Sequence, residues 1–226
     1  MRQRRPIPDS DWKDGFLFVG NYLALDFLNT RPVQNGEPTE LLSDFSALLR
    51  WFQAAGLVSS REMSNLQRQS GESAATRRTL DAIRQFREKL RKEVFAWEGG
   101  AHVRRATVAA LNKLMAAYPM LSKLQATGNV PSMELWFEPS QPEDLFAPLA
   151  HSAAKLFAEA DRNRVRKCGE CVLHFYDTSK KGTRCWCSMQ LCGNRLKVAA
   201  YAHRQRLNAH ELLQQRFDAL RDELIL

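Results

Sequence analysis

The chain has 226 residues, 44% of them hydrophobic and 26% charged, which is enough apolar material for a core in one or two domains. Its formal net charge is +8, and its five cysteines lie close together towards the C-terminal end, which argues against a secreted disulfide scaffold and for a reducing compartment. The apolar run over residues 16–28 is interrupted and too short to cross a bilayer, and no signal-peptide segment follows the basic N-terminus. We therefore expect a cytoplasmic protein with no membrane partner.

Residues 1–160 are predicted to form a mostly helical domain with a small β component. The first fifteen residues are predicted to be a loose polar arm, residues 16–19 a short strand, and residues 22–29 either a strand or a helix. Apolar residues at helical spacing predict helices over residues 43–55, from residue 57 onward, and over residues 72–97, 105–118 and 142–160. Residues 120–126 and 133–138 flank a Gly-Asn turn and predict a β-hairpin.

The ends of two helices carry sequence signals. Ser43 is a candidate N-cap, and Gly56 stands where a C′ glycine is expected. Ser59 and Glu62 have the spacing of a capping box. The longest predicted helix has one apolar stripe, which is more typical of a core than of a cofactor site; it consists of Leu80, Ile83, Phe86, Leu90, Val94 and Trp97.

Four polar residues, Asp26, Asn29, Thr30 and Arg31, lie in or directly after the apolar run that ends near residue 29. One interpretation is that they line a pocket for a small-molecule effector. The second interpretation, which we favour, is that Asp26 and Asn29 hydrogen-bond to the backbone at the end of a structural element.

The cysteines form the most specific pattern in the chain. Cys168 and Cys171 are spaced C-x2-C, and Cys187 and Cys192 are spaced C-x4-C. Two close pairs separated by about 15–20 residues are typical of a structural zinc site, because each pair supplies one edge of a tetrahedron of thiolates. Four thiolates leave no open position for water, so such a site stabilises a fold and does not catalyse hydrolysis.

The fifth cysteine leaves the ligand set open. Cys185 lies two residues before Cys187, and a strand would point both side chains to the same side. His174 is a weaker competitor, more typical of a partly buried strand residue. We predict strands over residues 172–176 and 184–186 that pair with each other, and a helix from Cys192 to at least residue 207.

The excess positive charge lies in this same region. Residues 161–206 contain eleven Lys and Arg against three Asp and Glu, a net +8 that equals the charge of the whole chain. A basic module of this kind indicates nucleic-acid binding, although a solvated surface would have the same composition. The candidate contact residues are polar or basic. They lie in the basic link over residues 162–167, in and just after the loop over residues 177–183, and in the helix after Cys192: Arg164, Arg166, Lys167, Lys180, Lys181, Arg184, Asn194, Arg195, Lys197, Tyr201 and Arg204. Arg195 follows Cys192 so closely that it could instead brace the metal loop.

The motifs Arg164-Val-Arg-Lys-Cys168, Phe175-Tyr-Asp-Thr-Ser179 and Cys192-Gly-Asn-Arg195 resemble the CGNR zinc-finger family of bacteria. The segment Leu25-Asp-Phe-Leu-Asn-Thr30 resembles the ABATE domain that precedes this finger. The resemblance implies zinc ligands at Cys168, Cys171, Cys187 and Cys192, with Cys185 as an extra thiol at a position that is usually basic. It also implies a regulator of transcription.

The sequence thus predicts an α+β protein with an N-terminal sensor or assembly domain (1–160), a treble-clef or ribbon-like zinc finger built from a β-hairpin and a helix (161–210), and a leucine-rich helical tail (211–226). The tail is expected to pack on the N-terminal domain or to form a homodimer. Double-stranded DNA is the expected partner, and RNA is the second candidate.

No Walker loop, G-x-S-x-G or H-E-x-x-H motif is present, so we expect no enzyme activity. Two further classes of protein nevertheless fit the same residues. One is an enzyme with an N-terminal pocket that includes Asp26, in which the finger is only structural. The second is a protein whose finger binds another protein.

Overall fold

The computed structural model describes residues 11–34, 37–71, 73–126, 130–194, 198 and 201. Six α-helices lie in this part of the chain: α1 Leu23–Leu28, α2 Phe45–Ala54, α3 Ser60–Ser70, α4 Ala74–Glu98, α5 Arg105–Ala117 and α6 Phe146–Glu159. Eight short strands accompany them: β1 Trp12–Lys13, β2 Phe16–Leu17, β3 Val33–Gln34, β4 Glu37–Pro38, β5 Leu121–Gln125, β6 Ser132–Trp136, β7 Val165–Lys167 and β8 His174–Tyr176. A 3-10 turn, Pro142–Leu145, precedes α6, and a π-helical turn, Met189–Gly193, comes after β7 and β8 in the chain.

The main core is built around α1, a short helix whose apolar side chains are all inside or half-buried. Leu25, Phe27 and Leu28 are fully buried between α4 and α6. Burial of a side chain of this size contributes about 1.5–3 kcal/mol to stability. The stripe predicted on the longest helix faces this core, with Phe86 half-buried and its other members buried. The predicted mostly helical N-terminal part with small antiparallel strand pairs is therefore confirmed.

The helix ends agree with the sequence in part. Ser59 and Glu62 form the predicted capping box at the start of α3. At α2, however, the N-cap is Asp44 and not Ser43, because the Asp44 carboxylate accepts from the Ala47 N–H at 2.7 Å. Gly56 follows α2 with a positive φ of 74°, as a C′ glycine does. The ambiguous stretch over residues 22–29 is the helix α1.

Every strand pair in the described residues is antiparallel and has two strands. β1 pairs with β2, so the prediction of a loose arm is wrong for residues 12–13, and residues 1–10 lie outside the described part. β5 and β6 form the predicted hairpin. Among the residues that the structure describes, no helix combines the length and apolar character needed to cross a membrane.

The predicted pairing inside the finger is wrong. β8 pairs with β7, which precedes it, and not with residues 184–186. The other edge of β8 is already occupied: the Tyr176 N–H donates to the Gly20 carbonyl at 2.8 Å, and the Asn29 side chain bonds the backbone of His174. The following segment is instead held at its end, where the Arg184 N–H donates to the Asp177 carboxylate at 2.8 Å.

A second, smaller core contains the cysteines. Leu17 and Val19, from the start of the chain, pack against Leu173, Phe175 and the buried cysteines. The side chain of Asn29 also joins the two parts. Its Nδ2 donates to the His174 carbonyl at 2.8 Å, and its Oδ1 accepts from the His174 N–H at 2.8 Å. The N-terminal and C-terminal parts of the chain thus share both a core and buried hydrogen bonds.

Candidate metal centre and nucleic-acid interface

Two local structures present the two cysteine pairs. Cys168 and Cys171 lie in the turn between β7 and β8, where the Cys168 N–H donates to the Leu173 carbonyl at 2.8 Å and closes the turn. Cys187 lies in the loop before the π-helical turn, and Cys192 lies within that turn. Ser188 caps the turn, because its Oγ accepts from the Gln190 N–H at 3.1 Å.

The four sulfurs of Cys168, Cys171, Cys187 and Cys192 lie within 4.8 Å of one another. The Cys171 and Cys187 sulfurs are 3.4 Å apart. In a tetrahedral site with metal–sulfur bonds of about 2.3 Å, neighbouring sulfurs are about 3.8 Å apart, so the donor set fits a metal ion. Cys185 does not belong to this group: its side chain is exposed and its Sγ lies 3.4 Å from the Thr183 carbonyl.

Without a cation, the four cysteine thiols are difficult to ionise together. A hydrogen bond from Cys187 lowers the pKa of Cys171 to about 5, whereas the pKa of Cys187 is raised by that same hydrogen bond and by burial. Burial likewise raises the pKa of Cys192 to about 11. One thiolate therefore makes its neighbours hard to ionise, and a bound cation would compensate the negative charge of all four.

Two residues next to the cysteines shape the site. A Cβ on Gly193 would lie 2.6 Å from the Met189 sulfur and 3.0 Å from the Trp186 ring, so a larger residue after Cys192 would displace these side chains. Val172, directly after Cys171, has φ +58°, a conformation that is unusual for a β-branched residue. The turn between the first two cysteines is therefore strained at its end.

Comparison with known families decides where this chain belongs. Residues 21–160, more than half of the chain, match the ABATE family, described as "Putative stress-induced transcription regulator". The chain belongs to the ABATE family. Residues 164–205 match the CGNR zinc finger, so the predicted family and architecture are confirmed. No curated protein matches the chain.

The predicted nucleic-acid residues of the CGNR finger that the structure describes fall into two groups. The three arginines Arg164, Arg166 and Arg184 are half-buried and hold the finger together. Arg164 donates to the carbonyls of Asp177 and Ser179, at 3.0 and 2.8 Å. The Arg166 guanidinium donates to the Gly182 carbonyl at 2.7 Å, and that of Arg184 lies over the Phe175 ring.

The second group is exposed: Lys167, Lys180, Lys181, Asn194 and Tyr201. Residues 194, 198 and 201 are helical, and all three side chains are exposed, as expected for one face of a helix. Arg195, Lys197 and Arg204 lie outside the described residues, as do residues 202–226, which include the predicted tail.

Asp177 organises the loop that carries the two adjacent lysines. Its side chain is fully buried and accepts from the N–H groups of Ser179 and Arg184, both at 2.8 Å. Burial alone would raise the pKa of Asp177, but these hydrogen bonds outweigh it, and the pKa is lowered. The aspartate therefore stays ionised and fixes the loop that presents Lys180 and Lys181.

Three of the four predicted pocket residues of the ABATE domain form buried hydrogen bonds within the protein. Asp26 accepts from the Gly20 N–H at 2.7 Å, and Asn29 bonds the backbone of His174, which is the arrangement that the sequence favoured for both. Thr30 accepts from the buried Arg87 guanidinium at 2.8 Å. Arg31 differs: it is exposed, forms an ion pair with Glu88 at 3.5 Å, and lines a surface cleft.

The contacts of Leu17, Val19 and Asn29 with the finger were not predicted. An apolar pair in a short strand carries no information about its distant partner, and only the polar Asn29 at the end of a hydrophobic run signalled a buried hydrogen bond. His174, the weaker ligand candidate, is buried beside Phe95, with ring centroids 4.7 Å apart. Burial and the charges of Arg91 and Lys167 lower the pKa of His174 to about 4, so its ring is neutral near pH 7.

Asp26 predicts a pH dependence of stability. Burial raises the pKa of its carboxyl from 3.8 to about 7. The stability that it contributes is therefore fully present below pH 3.8 and is lost as the pH rises through about 7. Asp26→Asn avoids the charge and keeps a carbonyl oxygen for the Gly20 N–H. We expect the free energy of unfolding of this variant, minus that of the parent chain, to be about 1 kcal/mol higher at pH 8 than at pH 6, so that the variant gains relative stability as the pH rises.

Urea denaturation of the metal-loaded protein at the two pH values measures this difference. Asp81 offers a control, because its side chain is 63% exposed and Asp81→Asn removes the same charge there, together with a surface ion pair to Arg84 at 3.3 Å. A difference between the two pH values that is the same for both variants would contradict the assignment to Asp26.

Proposed function

We propose that the chain is a zinc-dependent transcription regulator that binds duplex DNA through its CGNR finger. The observation that carries the proposal is the charge distribution: residues 161–206 hold the whole net charge of +8. A positive module attracts the phosphate backbone and releases its counterions. The description of the ABATE family supports a regulatory role.

The described part of the finger offers two separate contact elements. The loop held by Asp177 presents Lys180 and Lys181 to solvent, where they suit phosphate contacts. The helix after Cys192 exposes Asn194 and Tyr201, which suit contacts to phosphates or base edges. The half-buried arginines of the finger serve in this arrangement as supports of the loop, because their donors are directed at its carbonyl groups and at a ring.

Zinc is the metal that the donor set suits best. Four cysteine sulfurs with no oxygen or nitrogen donor among them are typical of structural zinc sites, although iron–sulfur sites use the same residue type. The zinc in this arrangement is structural, since it fixes the turn between β7 and β8 to the π-helical turn that contains Cys192.

Fluorescence anisotropy with the full-length, zinc-loaded protein and labelled duplex DNA tests the function. We expect affinity to fall steeply with salt, with a log–log slope of roughly −0.9 per phosphate contact. Replacing Lys180 and Lys181 together by Ala should weaken binding to all sequences alike and reduce the magnitude of that slope by about two.

A matched control removes the same charge elsewhere. Lys89 and Lys113 are exposed on α4 and α5, in the part of the chain that carries no net charge, and their double replacement by Ala should leave the slope unchanged. Zinc-loaded protein without measurable affinity for duplex DNA at low salt would refute the proposal. Binding displaced by single-stranded RNA at lower concentration than by duplex DNA would favour RNA as the partner instead.

A further inference from the structure

A cleft of about 290 Å³ lies where the ABATE domain meets the first cysteine pair. Its walls come from the segment after α1, from the strand pair β3–β4, from α4 and from the two ends of the β7–β8 turn. Cationic groups on these walls are Arg31, Arg91 and Lys167, and apolar groups are Val33, Phe95 and Val172. Of the four residues that the sequence offered as a ligand pocket, Arg31 is the one that lines this cleft.

The charge of the cleft is not balanced. Glu88 is its carboxylate, and it already pairs with Arg31 at 3.5 Å and with Arg91 at 3.3 Å. Glu98 is not among the residues that line the cleft, but its carboxylate accepts from the Lys167 backbone N–H at 3.0 Å. Even when both carboxylates are counted against the three cations, one positive charge is in excess. The cleft therefore favours an anion.

The apolar wall restricts which anion fits. Val33 and Phe95 are each 41% exposed, and Val172 is half-buried beside them. Exposed apolar side chains next to cations match a ligand that has both a charged group and a hydrocarbon body. The volume lies just below the usual range for ligand sites, about 300–1,000 Å³, so the ligand must be small.

The cleft is lined by the residues on either side of the turn that carries Cys168 and Cys171. Lys167 directly precedes Cys168, and Val172 directly follows Cys171 with its strained backbone. Arg31 lies two residues after Asn29, which bonds the backbone of β8. A ligand in the cleft would thus touch the helical domain and the metal-binding turn together.

We propose that this cleft binds a small organic anion, a carboxylate attached to an aromatic or aliphatic body, at the junction of the ABATE domain and the CGNR finger. The carboxylate lies between Arg31 and Lys167, and the body packs on Phe95 and Val33. This goes beyond DNA binding and does not depend on it, because the site and its test involve the protein alone.

The test is a titration of the full-length, zinc-loaded protein with benzoate and with hexanoate, followed by ¹⁵N NMR and calorimetry. We expect saturable binding of at least one of them below about 50 mM, with shifts of the Lys167, Val172 and Phe95 amides. Benzyl alcohol and acetate, which each lack one half of the ligand, should bind at least roughly tenfold more weakly.

The variant Arg31→Gln/Lys167→Gln should weaken the binding at least roughly tenfold, whereas Arg78→Gln/Lys113→Gln, which removes the same charge from exposed sites, should change it less than about twofold. Retained zinc and an unchanged amide spectrum away from the cleft will show that the variant Arg31→Gln/Lys167→Gln is folded. If that variant does not fold, Phe95→Ser is used in its place, and the same loss of ligand affinity is expected. No saturation by either acid overturns the proposal. So does equal affinity for acetate or inorganic phosphate, and so do shifts located elsewhere.

Discussion

Replacing Cys171 by Ser should release the metal and unfold the CGNR finger. Its sulfur is one of the four that lie within 4.8 Å of one another, and a hydroxyl is a far weaker ligand for zinc. In structural sites of this kind, metal binding supplies about 10–16 kcal/mol that is also folding free energy. We expect the zinc content to fall from about one per chain to nearly zero, measured by atomic emission on dialysed protein.

Cys185→Ser is the matched control, because it makes the same chemical change at an exposed thiol outside the cluster. It should keep full zinc and unchanged stability. Loss of metal in Cys185→Ser together with its retention in Cys187→Ser would reverse the ligand assignment. Because Leu17 and Val19 pack against the cysteines, loss of the metal should also release the N-terminal strand from protection against amide exchange.

Asn29→Ala should lower the free energy of unfolding by about 2–4 kcal/mol. The asparagine side chain donates to the His174 carbonyl and accepts from the His174 N–H, both at 2.8 Å and buried. Its removal leaves two backbone groups of β8 without partners in the interior, which costs far more than the loss of a solvated hydrogen bond. Urea denaturation of the zinc-loaded protein measures the change.

Two further variants sharpen this test. Asn29→Asp keeps an acceptor for the His174 N–H but brings a carboxylate against the His174 carbonyl, so it should be at least as destabilising as Asn29→Ala. Asn112 is exposed on α5, and Asn112→Ala should change stability by less than about 0.5 kcal/mol. A loss below about 1 kcal/mol for Asn29→Ala would show that the finger is held to the helical part by other contacts.

The sequence predicted the elements that depend on local patterns. The spacing of apolar residues located the helices, and Ser59 and Glu62 marked a helix start. The spacing of the cysteines indicated a metal site, and the family resemblance implied the four cysteines that cluster. Each of these signals lies within a few turns of chain or within one short motif. Asp44 displaced Ser43 as N-cap because neighbouring residues of similar propensity compete, and geometry decides between them.

The pairing inside the finger was not predictable in the same way. The edge of β8 bonds to the Asn29 side chain and to the Gly20 carbonyl, which are about 150 residues earlier in the chain. A strand pattern gives the alternation of side chains but does not reveal which group will satisfy the backbone at each edge. The sequence likewise predicted phosphate contacts for Arg164, Arg166 and Arg184 because they are basic. Only the structure shows that their guanidinium groups contact the carbonyl groups of a loop and an aromatic ring.

The contact of Leu17 and Val19 with the cysteine core sets an order of events during synthesis. The ribosome adds about 5–20 residues per second, so these two residues are made roughly 9 to 35 seconds before Cys192 is. Through that interval they lack the cysteine core against which they pack in the finished fold, although the helices α1 to α6 are made before it ends. Leu17 and Val19 are thus made early and buried late, and metal capture by the completed cluster would join them to the finger.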